Sequence, residues 1–389
     1  MNFDIADVKQ APSFAHLCAA LLADDGWRRM QTTMAAVSDA AVAAVLAKPA
    51  WDVADLPVLL APAAARQLET LAQRAHALTL QRFGRVVLLY APLYVSNYCT
   101  NLCAYCGFNA RNALDRCALT VAEAVRESRL LHTQGFRHIL LVSGQHPQHV
   151  QAAYLAELAE QIRHHFASIG IEVAPLRHEE YATLIAHGVD SVTCYQETYN
   201  PRTYLDVHMG GPKRDYDWRL GTLERAAQAG MRRVGLSALY GLDDWRVEAL
   251  CVGLHAHYIM TRYWRTQVGI SFPRLRAAAG GYQPPQPLPD AGLAQMMCAL
   301  RLVLPDAHLV LSTREPAALR DQLLPLGITQ MSAGSRTAPQ GYSRDGAAGE
   351  QFDVQDERAP QEVAAMLLRA GYEPVWKDWD ATYLERATA

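Results

Sequence analysis

Three cysteines at a narrow spacing are the residues of this chain best suited to metal chemistry. Cys99, Cys103 and Cys106 follow the pattern C-x3-C-x2-C inside LYVSNYCTNLCAYCGFN, residues 93–109. Thiolates select zinc, copper(I) or iron–sulfur clusters, and a closed structural zinc site needs four ligands. A cluster of four irons held by three cysteines leaves one iron open to bind another molecule. The spacing therefore favours an iron–sulfur cluster with an open iron.

The surroundings of these cysteines offer no fourth ligand. His132 and His138 are the nearest downstream histidines, but the sequence predicts one in a helix and the other at a strand start, on the wrong side of the fold. Three merely packed cysteines are disfavoured, because a polar loop would leave reactive thiols unprotected. The remaining cysteines lie singly, which is a reduced, intracellular pattern. They are Cys18, Cys117, Cys194, Cys251 and Cys298.

Charge and composition exclude several classes of partner. Lysine and arginine number 36 against 39 for aspartate and glutamate, a net charge of -3 without a long run of either sign. This balance disfavours a nucleic-acid or anionic membrane surface. No apolar stretch approaches the roughly 18 residues of a membrane span, and the start MNFDIADVKQ is acidic where a signal peptide would be basic. A cytoplasmic protein that acts on a small substrate is expected.

The cysteines follow the first of eight predicted strands. Residues 1–84 are alanine-rich with helical periodicity, whereas β-branched runs alternate with amphipathic stretches from residue 85 onward. The predicted strands are RVVLLYAPLY, HILLVSG, IEVAPL, SVTCYQET, RRVGLSALYG, QVGISFPRL, HLVLSTRE and ITQMSAGSR. The pattern predicts an α/β fold: a (β/α)8 TIM-type barrel at 85–337, a helical N-terminal extension at 1–84, and a short C-terminal extension at 338–389 that packs on the barrel.

The C-terminal ends of the predicted strands carry the other candidate site residues. Chemistry gathers at these ends in a barrel, and the cysteines come directly after strand one. Other strand ends carry polar groups that packing alone does not require. They are SGQH at 143–146, QET at 196–198, STRE at 312–315 and SAGSR at 332–336. We expect these segments to line one site at the mouth of the barrel.

The cysteine motif resembles that of the radical S-adenosylmethionine (SAM) superfamily, which has an aromatic residue before the last cysteine, here Tyr105. The similarity extends over about residues 85–380 to the aromatic amino-acid lyases of that superfamily. It is carried by the segments YAPLYVSNYCTNLCAYCGF, EVAPLRHEEY, YQETY, DWRLGTLERAAQAG, SFPRLR, LSTRE and EPVWKDWD. The resemblance implies a 4Fe-4S cluster whose open iron is chelated by SAM.

The resemblance also implies a reaction. An electron from a reduced flavodoxin- or ferredoxin-type donor would cleave SAM to methionine and a 5'-deoxyadenosyl radical. The radical would abstract hydrogen from L-tyrosine, and the Cα–Cβ bond would break to give 2-iminoacetate (dehydroglycine) and p-cresol. The imine would supply the thiazole ring of thiamine. Because an imine hydrolyses in water, direct transfer to a thiazole synthase protein is expected.

Cofactor roles carried over from the family fall on four segments. The three cysteines would hold the cluster, and Tyr105 would lie near the adenine. Ser143-Gly144-Gln145 stands where the superfamily has Gly-Gly-Glu beside the SAM amine, so a glutamine replaces the expected acid. Glu197 is the candidate for the ribose hydroxyls. Arg219 corresponds to an arginine that pairs with the SAM carboxylate in the related biotin-synthase pattern.

Candidate substrate residues lie on other strands. Arg314 suits the tyrosine carboxylate, because a guanidinium grips a carboxylate with two parallel hydrogen bonds. Ser332 could assist it, and Tyr94 corresponds to a position near the substrate in aromatic amino-acid lyases. Glu180 and Tyr181 are the candidates for the phenol end. Structural alternatives are an Arg314–Glu315 ion pair and a core position for Tyr94.

Two other functions fit the same residues. A tryptophan lyase would share the arrangement and differ in the size of its pocket. A non-catalytic iron–sulfur or zinc carrier would also need the cysteines, but it would not need Arg314, Glu197 and Arg219 to converge on one mouth.

Overall fold

The computed structural model describes residues 11–344 and 349–379. Eight parallel strands close into a barrel, because β2 pairs with both β3 and β1, and this confirms the predicted fold class. The strands are β1 Val86–Ser96, β2 His138–Ser143, β3 Ser168–Glu172, β4 Ser191–Thr193, β5 Arg233–Leu236, β6 Gln267–Ser271, β7 His308–Leu311 and β8 Gln330–Ser332. Apolar residues dominate the outer faces of these strands and pack under the surrounding helices.

Helices surround the barrel and extend it at both ends of the chain. The N-terminal extension contains α1 Phe14–Leu22, α2 Gly26–Ala35, α3 Asp39–Leu46, α4 Leu56–Leu59 and α5 Leu68–Phe83. The barrel and the C-terminal extension contain α6 Val121–Thr133, α7 Ala152–Ile162, α8 His178–Ala186, α9 Pro201–Val207, α10 Tyr216–Leu220, α11 Thr222–Gln228, α12 Trp245–Arg262, α13 Asp290–Val303, α14 Ala317–Leu323 and α15 Pro360–Arg369.

The N-terminal helices pack on the outside of the barrel. Gln295 on α13 donates from Nε2 to the carbonyls of Leu59 and Ala61, each at 2.9 Å. Phe14 on α1 stacks on the His255 ring of α12, with centroids 3.8 Å apart. The extension therefore covers helices rather than the mouth. No helix in the described part of the chain has the length and apolar character needed to cross a membrane, and the acidic start used for the signal-peptide expectation lies outside the described residues.

The C-terminal extension contacts both ends of the barrel. A ninth strand, β9 Glu373–Val375, pairs in parallel with the first residues of β1, at the end opposite the mouth. There His138 Nε2 lies 2.9 Å from the Asp378 carboxylate, so this histidine is far from the cysteine loop, as predicted. The segment 349–356 instead crosses the mouth: Asn97 Nδ2 donates to the Gly349 carbonyl (3.3 Å).

Candidate active site

The loop that carries the three cysteines leaves β1 at the mouth and is held on three sides. Its backbone N–H groups donate to the loop after β2, to the end of α9 with the residues that follow it, and to the C-terminal segment. These bonds are Thr100 to Gln145 O (2.9 Å), Ala104 to Val207 O (2.8 Å), Leu102 to Gly210 O (2.9 Å) and Gly107 to Gln351 O (3.0 Å). The loop is thus fixed by elements that are distant in sequence.

The thiol groups receive N–H donors from neighbouring amides. Asn101 Nδ2 lies 3.6 Å from Cys99 Sγ, and Gln351 Nε2 lies 3.9 Å from Cys106 Sγ. Burial raises the pKa of the Cys103 thiol to about 12, and the nearby Lys213 ammonium opposes that rise. Amide donors to sulfur and a neighbouring cation are features that stabilise thiolates bound to an iron–sulfur cluster.

The donor set fits a cluster better than a single ion. One metal ion needs its ligands gathered around one point, and no group of three histidine, cysteine or acidic side chains is so arranged among residues 11–344 and 349–379. In a cluster each cysteine binds a different iron. The three sulfurs of a cluster site therefore need not surround one point. The three thiols and the amide donors at Cys99 and Cys106 are chemically compatible with a cluster.

Glu197 lies beyond the end of β4 and joins two cations. Its carboxylate is 2.6 Å from Lys213 Nζ and 3.1 Å from Arg219 Nη2. Burial disfavours its charge, but the two cations outweigh that effect and lower the pKa of Glu197 to about 2. Its φ of 73° lies in the left-handed region that is uncommon for residues other than glycine. One carboxylate against two cations leaves an excess positive charge suited to an anionic ligand.

Tyr105 is oriented by a neutral histidine. Its hydroxyl lies 2.8 Å from His208 Nε2, and His208 Nδ1 lies 2.7 Å from the Tyr204 carbonyl. Burial lowers the pKa of His208 to about 3, so the ring is neutral at pH 7. Since Nδ1 must then donate to the carbonyl, Nε2 accepts from the Tyr105 hydroxyl. Lys213 Nζ lies 5.5 Å from the center of the Tyr105 ring, which joins Tyr105 to the Glu197 cluster.

The segment Ser143–Gln145 lies against the cysteine loop. A side chain at Gly144 would stand 2.4 Å from the Tyr98 carbonyl oxygen, so only glycine allows this approach. The Gln145 side-chain oxygen accepts from Asn101 Nδ2 at 2.8 Å. Gln145 therefore supports the residue that donates to Cys99 Sγ.

Glu180 lies apart from the other candidate substrate residues. Its carboxylate accepts from the Arg177 N–H (2.8 Å) at the start of α8. It also lines a cavity of about 580 Å³ that includes Gln145 but neither Tyr94 nor Arg314. Tyr181 is fully buried, and its hydroxyl accepts from the Leu176 N–H at 3.2 Å. Neither residue is brought to Arg314.

Arg314 follows β7 and does not form the ion pair weighed as its structural alternative. Glu315 is instead bound by Arg274 and Arg276. The Arg314 guanidinium lies over the Phe352 ring, 3.4 Å from its center, and forms no ion pair with any described residue. This stacking holds the group while leaving its N–H donors available for a carboxylate.

Tyr94 and Ser332 lie at the same end of the barrel. The Tyr94 hydroxyl donates to Gln351 Oε1 at 2.7 Å, and the other end of that amide faces Cys106 Sγ. Ser332 Oγ accepts from the Thr313 N–H at 3.1 Å, next to Arg314. The C-terminal segment thus connects the cysteine loop to Tyr94 through Gln351 and to Arg314 through Phe352.

Four residues of the site were missed by the sequence predictions. They are Glu172, Lys213, Gln351 and Phe352. Glu172 carried a usable signal, because it is the one charged residue in the otherwise apolar predicted strand IEVAPL. The other three lie in short connecting segments without a motif.

Known proteins share this architecture and this motif. The family model described as the radical SAM superfamily matches residues 93–251, and the Biotin and Thiamin Synthesis associated domain matches residues 271–373. The 2-iminoacetate synthases of Escherichia coli K12 and Salmonella typhimurium LT2 are each 45% identical over 335 residues, covering 86% of this chain and 89% of the relative. The chain belongs to the 2-iminoacetate synthase family. A 4Fe-4S cluster and SAM are the cofactors of its superfamily.

Solved structures agree with the family assignment. A crystal structure of HydG, a maturase of the FeFe-hydrogenase, superposes with a TM-score of 0.87 at 28% identity, covering 94% of this chain and 84% of that one. HydG from Carboxydothermus hydrogenoformans superposes with a TM-score of 0.80 at 30% identity, covering 96% and 85%. Both superpositions extend beyond the barrel strands and cover most of this chain.

Proposed function

We propose that this chain is a radical SAM tyrosine lyase that cleaves the Cα–Cβ bond of L-tyrosine to 2-iminoacetate and p-cresol for thiamine thiazole biosynthesis. The observation that carries the proposal is the shared barrel mouth: the cysteine loop, the Glu197 cluster and Arg314 all open on it. The family membership supports the choice of substrate.

The cofactor side of the mouth would be held by groups already described. Cys99, Cys103 and Cys106 would bind the cluster, which supplies the electron that cleaves SAM and so the radical that attacks the substrate. Arg219 and Lys213 would bind the SAM carboxylate, because their two charges exceed the one on Glu197. Glu197 retains a free oxygen for the ribose hydroxyls. Tyr105 would lie against the adenine, held in place by His208, and Ser143-Gly144-Gln145 would border the amine.

The substrate side would be formed by Arg314, Ser332 and Tyr94. Arg314 would bind the tyrosine carboxylate through both N–H donors of its outer edge, since Phe352 occupies only its face. Ser332 would support the loop that carries Arg314. Tyr94, whose hydroxyl donates to Gln351, would contact the bound amino acid.

In the cell, we expect the protein to work with two protein partners in the cytoplasm. One is a flavodoxin- or ferredoxin-type donor, because cleavage of SAM consumes an electron. The other is a thiazole synthase protein, because 2-iminoacetate hydrolyses in water and is best passed on directly. The match to the Biotin and Thiamin Synthesis associated domain supports this place in metabolism.

Product analysis tests the proposed function. The protein is reconstituted anaerobically with iron and sulfide and incubated with SAM, a reductant and either tyrosine or tryptophan. We expect 5'-deoxyadenosine with p-cresol from tyrosine alone. An indole product would assign the chain to the tryptophan lyases. Absence of deoxyadenosine in iron-loaded protein would leave the carrier function and overturn the lyase.

The bond from Gln351 to Cys106 predicts an effect on the cluster. Gln351→Leu removes the amide donor at Cys106 Sγ and the acceptor of the Tyr94 hydroxyl. Because donors to cluster sulfurs favour the reduced state, we expect a lower reduction potential in an EPR-monitored titration. We also expect a roughly tenfold slower turnover. Gln355→Leu, at an exposed position of the same segment, is the control. A potential equal to that of the control would contradict the prediction.

A further inference from the structure

Glu172 ends β3 at the mouth of the barrel. Side chains alternate along a strand, and Ser168 and Gly170 line a cavity inside the barrel. Glu172, two residues further on, therefore points to the same interior, one layer nearer the mouth. It pairs in register with Val142 of β2, directly before the Ser143–Gln145 segment. The carboxylate therefore lies between the side of the mouth proposed for SAM and the side proposed for the substrate.

The Glu172 carboxylate has no hydrogen-bond or ion-pair partner in the part of the chain that the structure describes. Within residues 11–344 and 349–379, no side chain or backbone group forms a hydrogen bond or ion pair with it. Arg314 likewise lacks an ion pair there, whereas Glu197, Lys213 and Arg219 neutralise one another in part. Glu172 and Arg314 are each partly buried, and unpaired charges at partly buried positions are costly and are retained where a ligand completes them. Glu172 and Arg314 thus leave one negative and one positive group facing the mouth.

The electrostatics of Glu172 match a proton acceptor. Burial raises the pKa of its carboxyl to about 7, against the opposing effect of Arg314. Other charged groups act on it from neighbouring elements: Glu197 raises the pKa further, and Arg219 and Lys213 lower it. The negative charge of Glu172 in turn raises the pKa of three phenols, those of Tyr90, Tyr94 and Tyr195. Near pH 7 the group therefore exists in both protonation states.

We propose that Glu172 binds the α-ammonium group of the tyrosine substrate, opposite Arg314 on the carboxylate, and accepts one proton from it. The ammonium N–H bond breaks, a carboxyl O–H bond forms, and no electron moves. The neutral amine is needed because an ammonium nitrogen has no lone pair with which to form the C=N bond of 2-iminoacetate. This role rests on the proposed function, since it requires an α-amino acid in the mouth.

A binding experiment isolates the ammonium contact. The reconstituted protein with SAM is dialysed anaerobically against tyrosine, against 3-(4-hydroxyphenyl)propionate, which lacks the amine, and against tyramine, which lacks the carboxylate. Wild type should prefer tyrosine over the propionate by about tenfold to a hundredfold. Glu172→Gln should lose most of that preference and keep the preference over tyramine, which depends on Arg314. Glu157→Gln, an exposed helix position, should behave as wild type, and Glu172→Asp should recover part of the effect.

The pH profile tests the proton transfer. Because only ionised Glu172 accepts a proton, the p-cresol rate of wild type should rise as the pH passes upward through about 7. Glu172→Gln should form p-cresol at least tenfold more slowly and should lack this rise of the rate with pH, the acidic limb of the profile. Its iron content and melting temperature should be unchanged.

Three results would overturn the proposal. They are an unchanged preference for tyrosine over the propionate in Glu172→Gln, an unchanged acidic limb, and a weakened affinity for SAM in place of tyrosine. Failure of the proposed function looks different: wild type would then release no p-cresol, while the Glu172-dependent preference for the amine would still be measurable.

Discussion

We expect Cys103→Ala to abolish cluster binding and all cleavage of SAM. Cys103 lies between the other two thiols in sequence, is only 4% exposed, and forms a backbone bridge with His208. Water cannot replace a buried thiolate, and a cluster held as proposed by three cysteines and SAM would have no spare protein ligand. Iron and sulfide should fall to background after reconstitution, and no 5'-deoxyadenosine should form with any substrate.

A matched cysteine elsewhere separates ligand loss from general damage. Cys298 is fully buried in α13, so Cys298→Ala removes the same atom from a packed position and costs about 1 kcal/mol of folding free energy. It should keep the iron, the reduced-cluster EPR signal and the turnover of wild type. The assignment would be wrong if Cys103→Ala retained iron and still produced deoxyadenosine.

The barrel and its cysteine loop were predictable because both depend on local patterns. Short strand runs with amphipathic helices between them specify a parallel sheet, and the C-x3-C-x2-C spacing lies within one loop. The C-terminal ends of the strands then place the loop at the mouth without further information. Glu197 and Arg219 were expected separately, for the ribose and the carboxylate of SAM, and the structure joins them through a 3.1 Å ion pair.

The rest of the site was hidden because it depends on contacts distant in sequence. Gln351 reaches Cys106 across 245 positions of the chain, and Phe352 reaches Arg314 only because the C-terminal segment crosses the mouth. Lys213 lies in a short 3-10 helix, Pro212–Arg214, that carries no motif. The C-terminal extension was expected to pack on the barrel, but the pairing of β9 with β1 was not predicted. The three residues of β9 form a strand only because they pair with β1.

Glu180 is an acid whose position has a local structural explanation, the start of a helix. An acid at the start of a helix is favoured by the free N–H groups of the first turn, and its carboxylate indeed accepts from the Arg177 N–H. Its place three residues after Arg177 is sufficient reason for a glutamate at this position. Glu172, which lies on a strand, has no such local explanation and so is the more informative acid.

Arg314→Ala should keep the cluster and SAM cleavage while losing tyrosine turnover. The guanidinium forms no ion pair with a described residue, and it is fixed by Phe352, 3.4 Å from the ring center. Truncating one partner of a desolvated charge pair costs about 2–5 kcal/mol, so kcat/KM for p-cresol formation should fall by a factor of roughly 30 to several thousand. Deoxyadenosine formed without p-cresol should then become the main product of SAM cleavage.

Two further arginine variants define what Arg314 contributes. Arg314→Lys keeps the charge but loses the paired donors, so its turnover should lie between wild type and Arg314→Ala. Arg129→Ala, at an exposed position of α6, should match wild type in iron content and in both products. Because the guanidinium is expected to bind the substrate carboxylate, Arg314→Ala should also no longer distinguish tyrosine from tyramine in the dialysis assay. If Arg314→Ala forms p-cresol at the wild-type rate, the carboxylate of tyrosine is bound elsewhere in the mouth.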